Sequence, residues 1–331
     1  MSLRRILLWL GRAVLVLLAV VLAASYLVPL PASPDDDPAT LLPAGARLIQ
    51  VPGEAGRTAV MEAGAPGAPA VVLIHGFGGS TFSWRLTVPA LAAAGYRVVA
   101  LDLLDFGLSE KRWDTDTSHA AQARHVLAVM DALGIRRAVV AGHSMGGSVA
   151  LHVAMAAPER VAALVLVDAA AREPGEGGAL AGVGQALASG ALQLPPVQQV
   201  ARQAIRRLIS PDALVDLLRS AYADPAFVTP AVAVGYQAQA RTRDWDLALL
   251  AVSRDQGGNA LPRALNSLTV PTQVIWGRVD PWIPLARGEA LAAAIPGARL
   301  DVIDGAGHLP FEERAEAFMA VILPFLAQHP A

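Results

Sequence analysis

The apolar residues Ala138-Val139-Val140 lead into AGHSMGGS (residues 141–148), which leads into a helix-like run over residues 149–154. A strand that must turn at once into a helix, with one serine held between glycines, constrains this chain more than any other stretch. Gly142 and Gly146 stand two positions either side of Ser144, where a side chain would collide with neighbouring backbone in a sharp bend. Such a bend lifts the Ser144 hydroxyl clear at the carboxyl end of a strand, the place where open parallel sheets bind ligands. In a chain with 29 glycines the five-residue pattern alone carries little weight, and its seat between strand and helix is what makes it informative.

The surrounding pattern agrees. Strand candidates at residues 47–51, 58–62, 70–74, 96–101, 137–141 and 161–167 alternate with helical patterns at 82–94, 118–133 and 145–157. Alternation of this kind predicts an α/β fold, a parallel sheet with helices on both faces. The rhythm breaks over residues 169–265, where helical pieces are punctuated by Pro195-Pro196, Pro211, Pro225 and Pro230 and no strand pattern occurs. It resumes with a strand at 272–277, a helix near 285–294, a strand at 299–303 and a closing helix at 312–327. The expected organisation is a core over 46–168, an inserted helical lid over 169–265, and a second part of the core over 266–331.

The first thirty residues differ. An apolar span over residues 6–28 would reach roughly 34 Å as a helix at about 1.5 Å per residue, against a bilayer core of about 30 Å. Arg4, Arg5 and Arg12 precede its centre and Asp35, Asp36 and Asp37 follow it. The positive-inside bias then predicts an N-terminal transmembrane helix over 1–30 with the body on the extracytoplasmic side, followed by a Pro/Asp-rich linker over 31–45. The alternative is a signal peptide removed near Ala23-Ala24-Ser25 or Pro31-Ala32-Ser33, leaving a secreted or periplasmic protein.

The full chain has 331 residues, 54% of them hydrophobic, enough for a large core. A formal net charge of -2 offers no basic field for nucleic acid. With zero cysteines, covalent catalysis must use another side chain. Histidine spacing does not suggest a metal site, and no Gly-x-Gly-x-x-Gly fingerprint opens the first helix, so no metal or organic cofactor is expected.

A serine hydroxyl is a poor nucleophile until a base takes its proton, and the base must be held in the right tautomer by an acid. Among seven histidines, His308 in DGAGHLPFEE follows the last strand and is the expected base. The acid should lie at a strand end between serine and histidine. Asp280 in WGRVDPWIP meets that condition, and Asp168, which ends LVLVD, is its rival. The backbone N–H groups of Phe77, in IHGFGGS, and of Met145, directly after Ser144, are the expected oxyanion donors.

The segments HGFGGS, DLLDFGLSEK, GHSMGG, WGRVDPW and GAGHLPFEE, in this order, resemble the α/β-hydrolase superfamily, in particular its lid-bearing serine hydrolases. The resemblance runs from about residue 47 to 326 and implies the α/β-hydrolase fold: an eight-stranded, mostly parallel sheet, its second strand antiparallel, with a helical cap after the sixth strand. It implies a Ser144-Asp280-His308 triad with Phe77 and Met145 as oxyanion donors. One departure is Asp105, where the family usually has glycine; aspartate tolerates a left-handed backbone better than most residues.

A serine at the elbow implies acyl transfer to water, with a small-molecule carboxylic ester as substrate. The apolar run at 177–195 and the expected membrane segment lean that choice toward lipophilic or acylglycerol-like esters. The alternatives on the same three residues are a carbon–carbon hydrolase of the meta-cleavage product type and an acyltransferase or perhydrolase.

Overall fold

The computed structural model describes the chain except residues 1–4, 6–8, 10, 11, 13, 14, 17, 18, 21, 55, 172–188 and 256–258. Its strands are β1 (Ala46–Gln50), β2 (Arg57–Ala63), β3 (Ala70–Ile74), β4 (Arg97–Leu101), β5 (Ala138–His143), β6 (Val161–Val167), β7 (Thr272–Gly277) and β8 (Arg299–Ile303). They form one eight-stranded sheet in the order β1-β2-β4-β3-β5-β6-β7-β8. The second strand runs antiparallel to β1 and β4, and the remaining neighbours pair in parallel. The α/β-hydrolase sheet implied by the sequence is therefore present.

The central strands are buried along their whole length, as a sheet covered on both faces requires. Their side chains alternate between two cores. Val72, Ile74, Val140, Leu164, Val274 and Trp276 pack on one face, and Val71, Leu73, Val139, Ala141, Val165 and Ile275 on the other. Each such Val, Leu or Ile contributes about 1.5–3 kcal/mol on burial.

Two expected helices break where local chemistry requires it. The helix anticipated over 82–94 is a 3-10 turn, Thr81–Trp84, followed by an α-helix that starts only at Thr87. Pro89 has no N–H for the Arg85 carbonyl and its ring would crowd that carbonyl, so the proline is accommodated only inside the first turn. The closing helix splits into Pro310–Glu313 and Ala315–Gln328, with Arg314 at φ -133 between them.

Between β6 and β7 the described residues form helices at Pro195–Leu208, Pro211–Arg219, Pro230–Gln237 and Trp245–Asp255, and no strand. The first three open on a proline at their N-terminus, where its missing N–H is not needed. Most of the apolar run at 177–195 lies outside the described residues.

The N-terminal expectation needs correction. Among the described residues no helix is long and apolar enough to cross a membrane, and part of the anticipated span lies outside the described residues. The helical conformation stops at Ala24 and the chain then turns onto the folded body. Gln203 Nε2 donates to the carbonyls of Ser25 (2.7 Å) and Val28 (2.8 Å), and Arg206 to that of Pro31 (3.0 Å). Ser33 accepts from Trp245 Nε1, while Asp35 and Asp36 pair with Arg243 and Arg241. The anchored, extracytoplasmic placement deduced from a spanning helix falls with it.

Two tests follow from this packing. Phe318 is 1% exposed and its ring meets that of Phe311 edge-on at 6.0 Å. Phe318→Ala leaves a cavity and is expected to lower stability by about 3–5 kcal/mol, read as a lower urea midpoint at unchanged slope. Asp246 is buried yet held below the usual carboxylate range, because hydrogen bonds and charge from Arg202 and Arg206 outweigh the burial that would raise it. A depressed folded value means stability that is present above the unfolded pKa and lost as pH falls through the folded one. Asp246→Asn should therefore flatten the acid side of the stability-against-pH curve, measured by urea unfolding at a series of pH values.

Candidate active site

Ser144 occupies the bend between β5 and the helix Met145–Ala156, with φ 51 and ψ -118. A left-handed backbone is costly for a residue with a Cβ, and it persists because the surroundings hold it. The Ser144 N–H donates to the Val167 carbonyl (2.9 Å) and its carbonyl accepts from Ala170 (3.0 Å), so both peptide groups are bolted to the end of β6. A Cβ on Gly142 would strike the Gly146 carbonyl, and one on Gly146 would strike the carbonyls of Ile74 and His75. The flanking glycines are required by close approach of backbone to backbone.

His308 sits on the loop after β8. Two backbone bonds zip this loop to the one after β7: Arg278 N–H to the Ile303 carbonyl (3.0 Å) and Val279 N–H to the Ala306 carbonyl (3.1 Å). They bring His308 Nδ1 to 2.7 Å from Asp280 Oδ2, with both side chains shielded from solvent. Asp280 Oδ1 accepts from the N–H groups of Trp282 (2.7 Å) and Ile283 (2.9 Å), which fixes the carboxylate. Neighbours hold the base as well. The His308 N–H donates to the Ala221 carbonyl (2.8 Å), and its own carbonyl accepts from His143 Nε2 (2.7 Å). Burial pushes His143 well below the usual imidazole range, so it stays neutral and serves as that donor.

Ser144 and His308 line a common cavity of about 40 Å³ at the carboxyl end of the sheet. An adjoining cavity of about 130 Å³ shares Phe77, Gly78, Leu218, Tyr236 and Trp282 with it. Phe77, on the loop after β3, is 48% exposed and borders both. Met145 is buried at the start of its helix. The N–H groups of Phe77 and Met145 are taken by no acceptor among the described residues.

Of the two aspartates the sequence left in competition, Asp280 is the one on the His308 ring. Asp168 lies beside it, at the end of β6 with φ 43, and its Oδ1 accepts from the Gly277 N–H (2.9 Å). Asp168, Asp280 and His308 also form the group of ligand-type side chains among the described residues close enough to hold a metal ion, their atoms lying within 4.8 Å. An ion there would compete with the Asp280–His308 bond. Asp105 has φ 65 and lines the larger cavity, and burial pushes its carboxyl up to about 7.

Sequence reasoning did not single out the residues that tie the helical segment to the His308 loop. Glu313 accepts from Gly307 N–H (2.8 Å) and Ala223 N–H (2.9 Å). Glu312 accepts from Arg85 (2.6 Å), Tyr222 (2.8 Å) and Tyr236 (2.5 Å). Both lie within the FEE triplet just after His308, but their partners are remote in sequence and share no spacing.

Removing the Glu313 acceptor leaves the buried Gly307 N–H unpaired, so Glu313→Ala is expected to cost about 1–3 kcal/mol by denaturant unfolding. Burial holds the Glu313 carboxyl above its usual range despite these donors. With the folded value raised, the protein loses stability as pH rises from the usual carboxylate range through that value. The stability of the wild type relative to Glu313→Gln should decline over the same window.

The sequence profile of the alpha/beta hydrolase fold matches residues 69–315. A 2-hydroxy-6-oxononadienedioate/2-hydroxy-6-oxononatrienedioate hydrolase of Paraburkholderia xenovorans (strain LB400) is 31% identical over 264 residues, 79% of this chain and 88% of the relative. A meta-cleavage product hydrolase from Pseudomonas fluorescens IP01 superposes with a TM-score of 0.68 at 26% identity, covering 85% of this chain and 97% of the other. A bacterial membrane phospholipase A superposes with a TM-score of 0.68 at 25% identity over 98% of this chain and 99% of the other. With the sheet order, the strained serine turn and the profile in agreement, the chain belongs to the α/β-hydrolase superfamily and is a hydrolase.

Proposed function

We propose that this hydrolase cleaves carboxylic esters with an apolar acyl part, using Ser144 as nucleophile, His308 as base and Asp280 as the acid that orients it. The observation that carries the ester reading is the cleft. Leucine, alanine and aromatic side chains dominate the larger cavity, and among the described residues no arginine lines either one. Lys111, the cation at the larger cavity, is engaged with the carbonyls of Gly107 and Ser109, and burial pushes its ammonium down to about 8. Such a cleft suits an uncharged acyl chain.

In the proposed reaction the Ser144 hydroxyl adds to the ester carbonyl and its proton passes to His308 Nε2. The tetrahedral oxyanion faces the N–H groups of Phe77 and Met145, each worth about 3–4 kcal/mol by analogy with other oxyanion donors. Collapse expels the alcohol, which takes the proton from His308, and water repeats the sequence on the acyl-enzyme. Asp280 keeps the imidazole in the tautomer whose Nε2 can accept.

A second reading rests on the relatives. Their names support hydrolysis of a carbon–carbon bond, as in meta-cleavage products, more directly than ester hydrolysis. The phospholipase likeness, which spans nearly the whole chain, supports the ester reading. Acyl transfer to an acceptor other than water uses the same acyl-enzyme.

A fluorophosphonate probe should label the wild type and leave Ser144→Ala unlabelled. Asp280→Asn is expected to lower kcat by about 10⁴-fold, as loss of the orienting acid does elsewhere. Turnover of p-nitrophenyl esters that rises with acyl length supports the ester reading. Turnover confined to a vinylogous dienoate diketone would replace it with the carbon–carbon reading.

A further inference from the structure

We propose that Asp168 acts as a carboxylic acid that donates a hydrogen bond to the Asp280 carboxylate, making it a positioning residue for the His308 ring. The inference rests on the reading of Asp280 and His308 just given and adds a member to it.

Three observations lead there. Asp168 is completely buried, and its Oδ1 is used by the Gly277 N–H while its Oδ2 has no hydrogen-bond partner among the described residues. A buried carboxylate oxygen without a donor is costly, whereas a carboxylic acid supplies its own donor and needs only an acceptor. The acceptor is at hand, because oxygens of Asp168 and Asp280 and a ring nitrogen of His308 lie within 4.8 Å of one another. Two buried carboxyl groups this close do not both ionise. The charge falls to Asp280, which receives the N–H groups of Trp282 and Ile283 as well as the imidazole.

The ionisable groups around Asp168 point the same way. Burial first, then the charges of Asp280 and Glu313, hold its carboxyl well above the usual range, and the His308 ring also lies beside it. Its backbone suits a positioning role. The Asp168 N–H donates to the Ile275 carbonyl (3.0 Å), while Val167 and Ala170 on either side hold the peptide groups of Ser144. One short segment therefore braces the nucleophile turn and, through Asp168, the acid that faces the base.

The test compares Asp168→Asn, which keeps an uncharged donor, with Asp168→Ala, which has none. Asp168→Asn should retain kcat to within about threefold, while Asp168→Ala should lose roughly 10- to 100-fold in kcat with little change in KM, the scale of a hydrogen bond to a charged group. Without the donor, the Asp280 charge acts more strongly on the imidazole, so the acid limb of kcat/KM should move to higher pH in Asp168→Ala only. A purely structural role would not produce that shift. Asp168→Asn as impaired as Asp168→Ala would overturn the proposal.

Should Asp168→Ala not fold, the infrared difference between wild type and Asp168→Asn at neutral pH decides. A protonated-carboxyl band carried by the wild type supports the proposal, and its absence refutes it. This readout needs no turnover. A missing band with intact fluorophosphonate labelling refutes the role of Asp168 alone, while lost labelling specificity with the band present refutes the serine-hydrolase reading instead.

Discussion

The left-handed turn at Ser144 is the constraint on which the rest of the structure depends. A serine at φ 51 is not a state the residue adopts freely, and three neighbouring strands share in maintaining it. The end of β3 lies against Gly146, β5 delivers the serine, and β6 anchors its peptide groups through Val167 and Ala170. The sheet has to be parallel here, with these strand ends side by side, for one short turn to be clamped from both flanks. The buried, largely aliphatic strands supply the stiffness that such a clamp requires.

Around that turn lies a polar frame, closed off from solvent. His143 reaches the His308 carbonyl, Glu313 gathers the N–H groups of Gly307 and Ala223, and Asp168 ties the ends of β6 and β7 through Gly277. Buried polar groups of this kind hold one arrangement when paired and are costly when not, which gives the loop carrying His308 a defined position. Glu312 extends the frame into the helical segment between β6 and β7 through Tyr222 and Tyr236. The roof of the cleft and the loop of the proposed base are thus linked by hydrogen bonds, and the small cavity beside Ser144 is bordered by residues of both.

Much of this is legible in the sequence. Strand positions agree with the pattern to within a residue or two, most clearly where a central strand is one short apolar run, as in β3 and β6. Ser144 was legible because its turn leaves a local signature, glycines at fixed offsets. The apolar pattern over 82–94 continues through Leu86, whereas the effect of Pro89 on Arg85, which breaks the helix, is a backbone matter that the pattern does not carry. The N-terminal segment departs from its hydropathy for a different reason, with no helix among the described residues long and apolar enough to cross a membrane. Hydropathy records how apolar residues 6–28 are, but not that Gln203 and Arg206 take up the carbonyls at the end of that segment.

By itself the sequence determined the order of strands and helices, the place of the strained serine and the candidates for its partners, since each is written in contiguous residues. Only the tertiary structure shows which of Asp280 and Asp168 meets the His308 ring. Asp168 directly follows β6 and Asp280 lies on the loop after β7; the WGRVDPW resemblance favours Asp280, but position along the chain does not place either one against the ring. The choice comes from the pairing of the loops after β7 and β8, which carries His308 to Asp280 and leaves Asp168 behind it. Contacts between residues far apart in the chain are set by which surfaces can be buried together, and that is a property of the packed molecule.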